Sequence, residues 1–268
     1  MARMLSVSRR QEILDLIRRD GTVSVSQLSR LFGVSEVTIR TDLKVLAEKG
    51  YIVRSHGGAS SPQLEVNGQL PSRVREGMLP EEKARIGATA ARLVYPGDVI
   101  SLDSSTTALQ LARRVKSIRN LTVVTNSLEV MIELSGIQSL TVVGVGGILS
   151  ETTRSFLGPM AEEGISKIHV NKAFISPKGV SVTFGLSDYS PLEGQIRRKM
   201  MDVADKVIML ADHSKFNQLL FSSFAPLDSV DMVVTDAPPP PEFADFLSKK
   251  GIEIVVAAGE IYGAVAAE

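Results

Sequence analysis

Ser24 to Lys44 reads SVSQLSRLFGVSEVTIRTDLK, two short helical patterns hinged on a glycine, and no other stretch restricts the fold so tightly. Ser24 followed three residues later by Gln27 has the spacing of a capping box, so a helix starts there. Leu28, Leu31 and Phe32 recur at helical spacing and are expected to bury one face. Gly33 ends that helix because it accepts the left-handed backbone of a C-cap. Val34 tucks under the turn, and Ser35 caps the next helix through its hydroxyl. In this second helix Ile39, Leu43 and Leu46 form the buried stripe. Ser35, Glu36, Thr38, Arg40, Thr41 and Lys44 remain outside it. Hydroxyl, guanidinium and ammonium groups on one face suit base edges and phosphates in a major groove.

The flanks extend this pattern. Ile13, Leu14 and Ile17 give a preceding helix, from about Ser8 to Arg19, its apolar side. Gly50 ends the recognition helix, Tyr51 to Val53 read as a short strand, and Arg54, Ser55 and His56 with Gly57 and Gly58 make a basic wing. A plain three-helix bundle with a solvated charged face is the alternative that this pattern leaves open. Charge distribution favours the DNA reader. The chain is neutral as a whole, but residues 1–60 hold 10 Lys and Arg against 6 Asp and Glu, leaving 20 against 24 in the remainder. A basic head on an acidic body fits a nucleic-acid-binding module joined to a domain with another task.

At 268 residues the chain accommodates such a head and one larger core domain. It has no cysteine, so disulfides and thiolate metal sites are excluded, and His56, His169 and His213 show no ligand spacing. Neither a metal nor a cofactor is expected. No signal-peptide core opens the sequence and no run spans a bilayer, so no membrane partner and a cytoplasmic location are expected.

Residues 60–80, with three prolines and two glycines, have linker composition. Beyond them helical and strand patterns alternate. Strands are expected near Val99 to Leu102, Leu121 to Thr125, Leu140 to Val143, Lys172 to Ile175, Val207 to Leu210, Met232 to Val234 and Ile252 to Val256. Such alternation predicts an α/β domain with a mostly parallel sheet covered by helices. Ligands in these folds sit beyond the C-terminal strand ends. Three segments qualify: Asp103, Ser104, Ser105, Thr106 and Thr107; Thr125, Asn126 and Ser127; and Asp212 to Lys215. The first can hold a phosphate on a helix N-terminus or serve only as an N-cap cluster. The second has ordinary capping residues, and Lys215 in the third is either an anion contact or a solvated lysine. The GVGG run at Gly144, Gly146 and Gly147 lacks the spacing of a dinucleotide fingerprint and reads as a tight turn beside the bound group.

Residues 9–59 resemble the winged helix-turn-helix of the DeoR family of bacterial transcriptional regulators, through RRQEIL, GVSEVTIRTDL and RSHGGA. By this resemblance Thr38, Arg40, Thr41 and Lys44 face the operator, while Arg54 and His56 approach the backbone or minor groove. Thr41 departs from the second arginine that family members often carry, which removes one contact. The body, through SLDSSTTALQLA, VVTNSLEV, GVGGIL, KAFISPKGVS and MLADHSKF, resembles the family's sensor domain, itself similar to ribose-5-phosphate isomerase. The implied organisation is a winged helix-turn-helix over 1–59, a linker over 60–80, an effector-binding sensor over 81–256 and a tail over 257–268. The implied function is a repressor of a carbohydrate operon that acts as a homo-oligomer, dimer or tetramer, on double-stranded operator DNA. Its effector is a phosphorylated sugar held by the Asp103–Thr107 loop, Asn126 and Lys215, with Gly147 nearby and Lys172, Gly179 and the loop near Tyr189 framing the sugar. The rival is an isomerase with an appended DNA-binding head. Against it, the position of the isomerase's catalytic glutamate holds Arg197, which cannot act as a base, although Glu193 lies close by.

Overall fold

The computed structural model describes residues 6–20, 22–49, 51–55, 57–60, 70–257 and 260–262. They belong to two units, Met1–Met78 and Leu79–Glu268.

The first unit runs α1 (Ser6–Asp20), β1 (Thr22–Ser24), α2 (Val25–Phe32), α3 (Glu36–Glu48), β2 (Val53–Ser55), β3 (Gly58–Ser60) and α4 (Ser72–Glu76). The caps lie where the sequence puts them. Ser24 accepts from the Gln27 amide, Ser35 accepts from the Thr38 amide, and Gly33 closes α2 in the left-handed region at φ 61°. Ile13, Ile17, Leu28, Ile39, Leu43 and Leu46 form one core with Val25 and Ile52. Leu31 corrects the expected stripe of α2, because it is 60% exposed. Val25, Leu28 and Phe32, at i, i+3 and i+7, supply that helix's inner side instead. The wing is a three-stranded antiparallel sheet in the order β1-β3-β2. Its strand β1 has no apolar run to announce it and exists through pairing with β3, Val23 opposite Ala59. The interval expected to be linker contains the short helix α4.

The second unit opens with α5 (Pro80–Ala91), β4 (Val99–Leu102), α6 (Thr106–Arg114), β5 (Leu121–Thr125), α7 (Leu128–Leu134) and β6 (Leu140–Gly144). Next come β7 (Ile148–Ser150), β8 (Ser155–Leu157), α8 (Pro159–Ser166), β9 (Val170–Ile175), β10 (Gly179–Ser181), β11 (Gly185–Asp188) and α9 (Pro191–Asp202). It closes with β12 (Ala204–Ala211), β13 (Ser222–Ala225), β14 (Met232–Thr235), α10 (Pro241–Lys249), β15 (Glu253–Val256) and β16 (Glu260–Tyr262). The main sheet has the order β16-β15-β14-β12-β9-β4-β5-β6. Seven of its strands are parallel, and β16 pairs antiparallel to β15. The expected tail at 257–268 is corrected there, since Glu260–Tyr262 adds an edge strand.

Both faces of this sheet are covered, and the pleat shows it. Along β12, Ile208 and Leu210 enter the core with α5, α6 and α7, whereas Val207, Met209 and Ala211 enter the opposite core with Phe243 and Leu247 of α10. Strands buried on both sides read as continuous apolar runs, which is why the inner parallel strands are visible in the sequence; the edge strand β6 is only partly buried but keeps the apolar Leu140, Val142 and Val143 that mark it. A small antiparallel sheet, β10-β11-β13, and the β7-β8 hairpin are not visible there. GVS, GLSD and SSFA carry too few apolar residues to mark a strand.

The topology has a switch point. From β4 the chain steps outward through β5 to β6. It then returns to β9, on the other side of β4, and steps away through β12, β14 and β15. Strands β4 and β9 are therefore adjacent while their onward connections diverge, the arrangement that opens a binding crevice at strand C-termini.

Candidate functional site

The first candidate surface is α3. Helical geometry turns Glu36, Arg40, Thr41 and Lys44 to solvent, with Thr38 half-buried at the margin. Arg40 pairs with Glu36 at 3.3 Å and Lys44 with Glu48 at 3.8 Å, both one turn apart. Exposed pairs of this kind cost little to open when a phosphate or base competes. The Ser35 hydroxyl is committed to capping: it accepts from the Thr38 amide at 3.2 Å and lies 2.9 Å from the Thr38 hydroxyl. Arg54 stands on β2 opposite Ala59. His56, also expected to approach DNA, lies outside the described residues.

What holds α3 was missed in the sequence. Asp42 lies on the helix's inner side and is buried. Arg9 Nε donates to its Oδ2 at 2.6 Å and Arg10 Nε to its Oδ1 at 2.7 Å, tying α1 to the recognition helix. A buried carboxylate needs such partners to offset its desolvation. The signal was the aspartate itself, placed beside Leu43 on a face otherwise apolar.

The second candidate surface is the crevice beyond β4, β5, β9 and β12. Asp103 ends β4 and stitches three segments together. Its Oδ1 accepts from the Ser105 amide at 3.1 Å, and its Oδ2 accepts from the Ser176 amide at 3.0 Å and Arg197 Nε at 2.7 Å. Ser104 donates to Glu193 Oε2 at 3.0 Å, and Ser105 caps α6 by accepting from the Ala108 amide at 2.9 Å. Thr106 and Thr107 are buried in the first turn of α6, where amides have no acceptor within the helix. Asn126, after β5, donates from Nδ2 to the Phe156 carbonyl at 3.2 Å. Its Oδ1 is buried without a hydrogen-bond partner, as is Asp212 Oδ2 after β12. Lys215 Nζ lies 3.6 Å from that Asp212 oxygen.

At the centre sits Arg197 of α9, fully enclosed by carboxylates. Its Nε and NH1 lie 2.7 Å from Asp103 and Asp188, and its NH2 lies 3.5 Å from Glu193. Burial works against the guanidinium charge, but Asp188, Asp103 and Glu193 outweigh it and raise the pKa above the ordinary arginine value. Burial likewise pushes Glu193 up, yet Arg197 and hydrogen bonds from Ser155 and Thr153 hold it below the usual carboxylate range. Asp212 follows the same logic, with Lys215, Ser214 and Lys83 outweighing burial. Tyr189, next to Asp188, is pushed up by burial and then by that negative neighbour. Glu193, the one candidate base, is thus an anion saturated by its own hydroxyl and guanidinium partners.

One expected effector residue, Lys172, does not join this cluster as supposed. Lys172 is three residues short of the C-terminal end of β9. Its Nζ contacts Asp98 at 2.6 Å, before β4, and lies over the Tyr95 ring at 5.0 Å. It therefore serves the opposite end of the sheet, because the register pairs it with Ile100 rather than Leu102. At Gly147, with φ 139°, a Cβ would stand 2.6 Å from the Leu157 carbonyl oxygen; at Gly179 it would stand 2.6 Å from the Gln218 carbonyl oxygen. Close approach of the protein's own backbone accounts for both glycines. Conversely, Lys83 of α5, buried and acting on Asp212, was not anticipated, and a lysine in a helix's first turn gives no signal that it will be enclosed.

Among the described residues no group of three His, Cys, Asp or Glu can hold a metal ion, and no helix is long and apolar enough to cross a membrane.

Two family models match the chain, the DeoR-like helix-turn-helix domain over residues 9–64 and the DeoR C terminal sensor domain over residues 79–237. The HTH-type transcriptional regulator YulB of Bacillus subtilis (strain 168) is 38% identical over 94% of this chain and 96% of its own. The glycerol-3-phosphate regulon repressor of Escherichia coli (strain K12) is 30% identical over 94% of this chain and 99% of its own. Ribose 5-phosphate isomerase A of Methanocaldococcus jannaschii aligns over 51% of this chain and 54% of its own, at 18% identity and a TM-score of 0.38, and so loose a likeness carries nothing further. The relatives are named as regulators rather than enzymes, both modules are matched, and the chain belongs to the DeoR family of DNA-binding transcriptional regulators.

Proposed function

We propose that this chain represses a carbohydrate-metabolism operon and loosens its hold on the operator when a phosphorylated sugar enters the crevice between β4 and β9. The observation that carries the reading is the donor and acceptor set in that crevice. First-turn amides of α6 and the Lys215 ammonium suit a phosphate. Two buried acceptors without hydrogen-bond partners, Asn126 Oδ1 and Asp212 Oδ2, suit sugar hydroxyls, since buried polar atoms ordinarily find a partner. Arg197 does not serve the phosphate, because three carboxylates already claim it. The name of the E. coli relative, a repressor of a glycerol-3-phosphate regulon, points to the same ligand chemistry.

On the DNA side, α3 enters a major groove with Glu36, Thr38, Arg40, Thr41 and Lys44 available to bases and phosphates, and Arg54 and His56 reach the flanking backbone or minor groove. A homo-oligomer, dimer or tetramer, presents two heads to half-sites spaced by whole helical turns. An effector that favours another arrangement of sensors then weakens the operator complex.

The test is titration of operator DNA with the full-length protein at fixed salt, with and without a panel of sugar phosphates and the parent sugars. One phosphorylated sugar is expected to weaken binding while its parent sugar does not. Lys215→Ala should keep operator affinity and need about tenfold or more effector, the scale of a lost charge-assisted hydrogen bond. A wild-type response in that variant removes Lys215 from the site. Consumption of the sugar phosphate would restore the isomerase reading.

A further inference from the structure

The outward face of α3 is not uniformly polar. Val37, its second residue, is 73% exposed. Thr41, Lys44 and Glu48 follow it at i+4, i+7 and i+11, so the four share one stripe. That stripe lies opposite Ile39, Leu43 and Leu46, which are fully buried. Val37 therefore occupies the middle of the face this motif turns to the groove, in the N-terminal part of the helix that reaches base edges.

Its neighbours make the spot apolar. The Thr41 hydroxyl donates to the Val37 carbonyl at 2.9 Å, so it is turned back on its own helix, and its γ-methyl is the part left facing outward. Arg40 and Lys44 are drawn toward Glu36 and Glu48. A lone exposed valine is unremarkable on a protein surface. A valine backed by a second methyl, at the centre of a reading face and rimmed by charges, is a shape with a specific complement.

We propose that Val37, flanked by the Thr41 methyl, reads the 5-methyl group of a thymine in each operator half-site. Thymine alone presents a methyl in the major groove, whereas the other bases present donors and acceptors there. Apposing Val37 to those groups strips their water and returns no hydrogen bond, so the same contact that favours thymine disfavours its competitors. The inference rests on α3 docking in the major groove and adds a position at which apolar contact, not charge, sets sequence preference.

The experiment starts from duplexes that the full-length protein recovers from a random pool. Each thymine of the recovered site is replaced in turn by deoxyuridine, which removes the methyl and nothing else from the groove. For the wild-type protein, one replacement per half-site should weaken binding about fourfold, the value of one buried methyl group. For Val37→Ala the same replacement should have almost no effect. The variant should unfold at the wild-type temperature, because Val37 packs on no core and alanine favours the helix. An equal loss in both proteins, or no thymine that matters, overturns the inference. Failure to recover any preferred duplex would instead overturn the docking of α3 on which it rests.

Discussion

In the DNA-binding unit one buried carboxylate, Asp42, is held between two arginines; in the sensor unit one buried arginine, Arg197, is held among three carboxylates. Both clusters link segments distant in sequence, 33 residues apart for Arg9 and Asp42 and 94 for Asp103 and Arg197. They differ in sign and in exposure. The head's cluster leaves one surplus positive charge, and Arg10 is 28% exposed at its side chain, so it is tolerant of a nearby phosphate. The sensor's cluster leaves a surplus of negative charge and is sealed, with Arg197 only 1% exposed. The difference teaches what each cluster is for. On the function proposed above, one orients a helix that meets an anion, and the other frames the effector crevice while keeping its own cation out of the ligand's reach.

The comparison breaks most readily at Arg197. Arg197→Met fills the space but strands Asp103, Asp188 and Glu193 without their counter-charge, and it should destabilise the protein by about 3–5 kcal/mol. Urea unfolding followed by far-ultraviolet circular dichroism measures it. A loss below about 1 kcal/mol would show that the carboxylates find other partners or protonate cheaply.

Asp42→Ala should cost less, about 2–3 kcal/mol, because Arg10 can regain water while Arg9 cannot. Operator affinity should fall with it, since α3 loses its tie to α1. If stability drops but operator affinity at temperatures well below unfolding is unchanged, the cluster supports the fold without orienting the helix.

The smallest effect is expected at a third pair, which sharpens the contrast through its exposure. His213 Nδ1 lies 2.7 Å from Asp236 Oδ2, but the imidazole is 53% exposed. The hydrogen bond to Asp236 raises the His213 pKa above its ordinary 6.5, against a smaller opposing effect of burial. Because the folded value is the higher one, this pair's stabilisation is complete below pH 6.5 and disappears as pH rises through the raised value. Melting temperatures of wild type and Asp236→Asn should therefore differ most below pH 6.5 and draw together as pH rises through the raised value. Parallel curves across that range would mean that the ring does not titrate against Asp236.

The sequence by itself determined whatever depends on neighbours a few residues apart. The hydroxyls of Ser24 and Ser35, the left-handed Gly33, the stripe Ile39, Leu43 and Leu46, and the apolar runs of the seven parallel strands are all local, set by backbone preference and hydrophobic period. The loops after β4, β5 and β12 were legible for the same reason, as polar turns following apolar runs. Tertiary structure decided the rest. Leu31 turned outward because Phe32 met the core, and β1 formed because β3 lay beside it. Lys172 went to the far end of the sheet because the pairing of β9 with β4 set its register. Arg197 became the hub of the crevice because α9 returned under β4, bringing a charge to a carboxylate 94 residues away. No local preference encodes such a meeting. It follows from where the packed sheet sends each strand, and that is fixed only when both faces are buried.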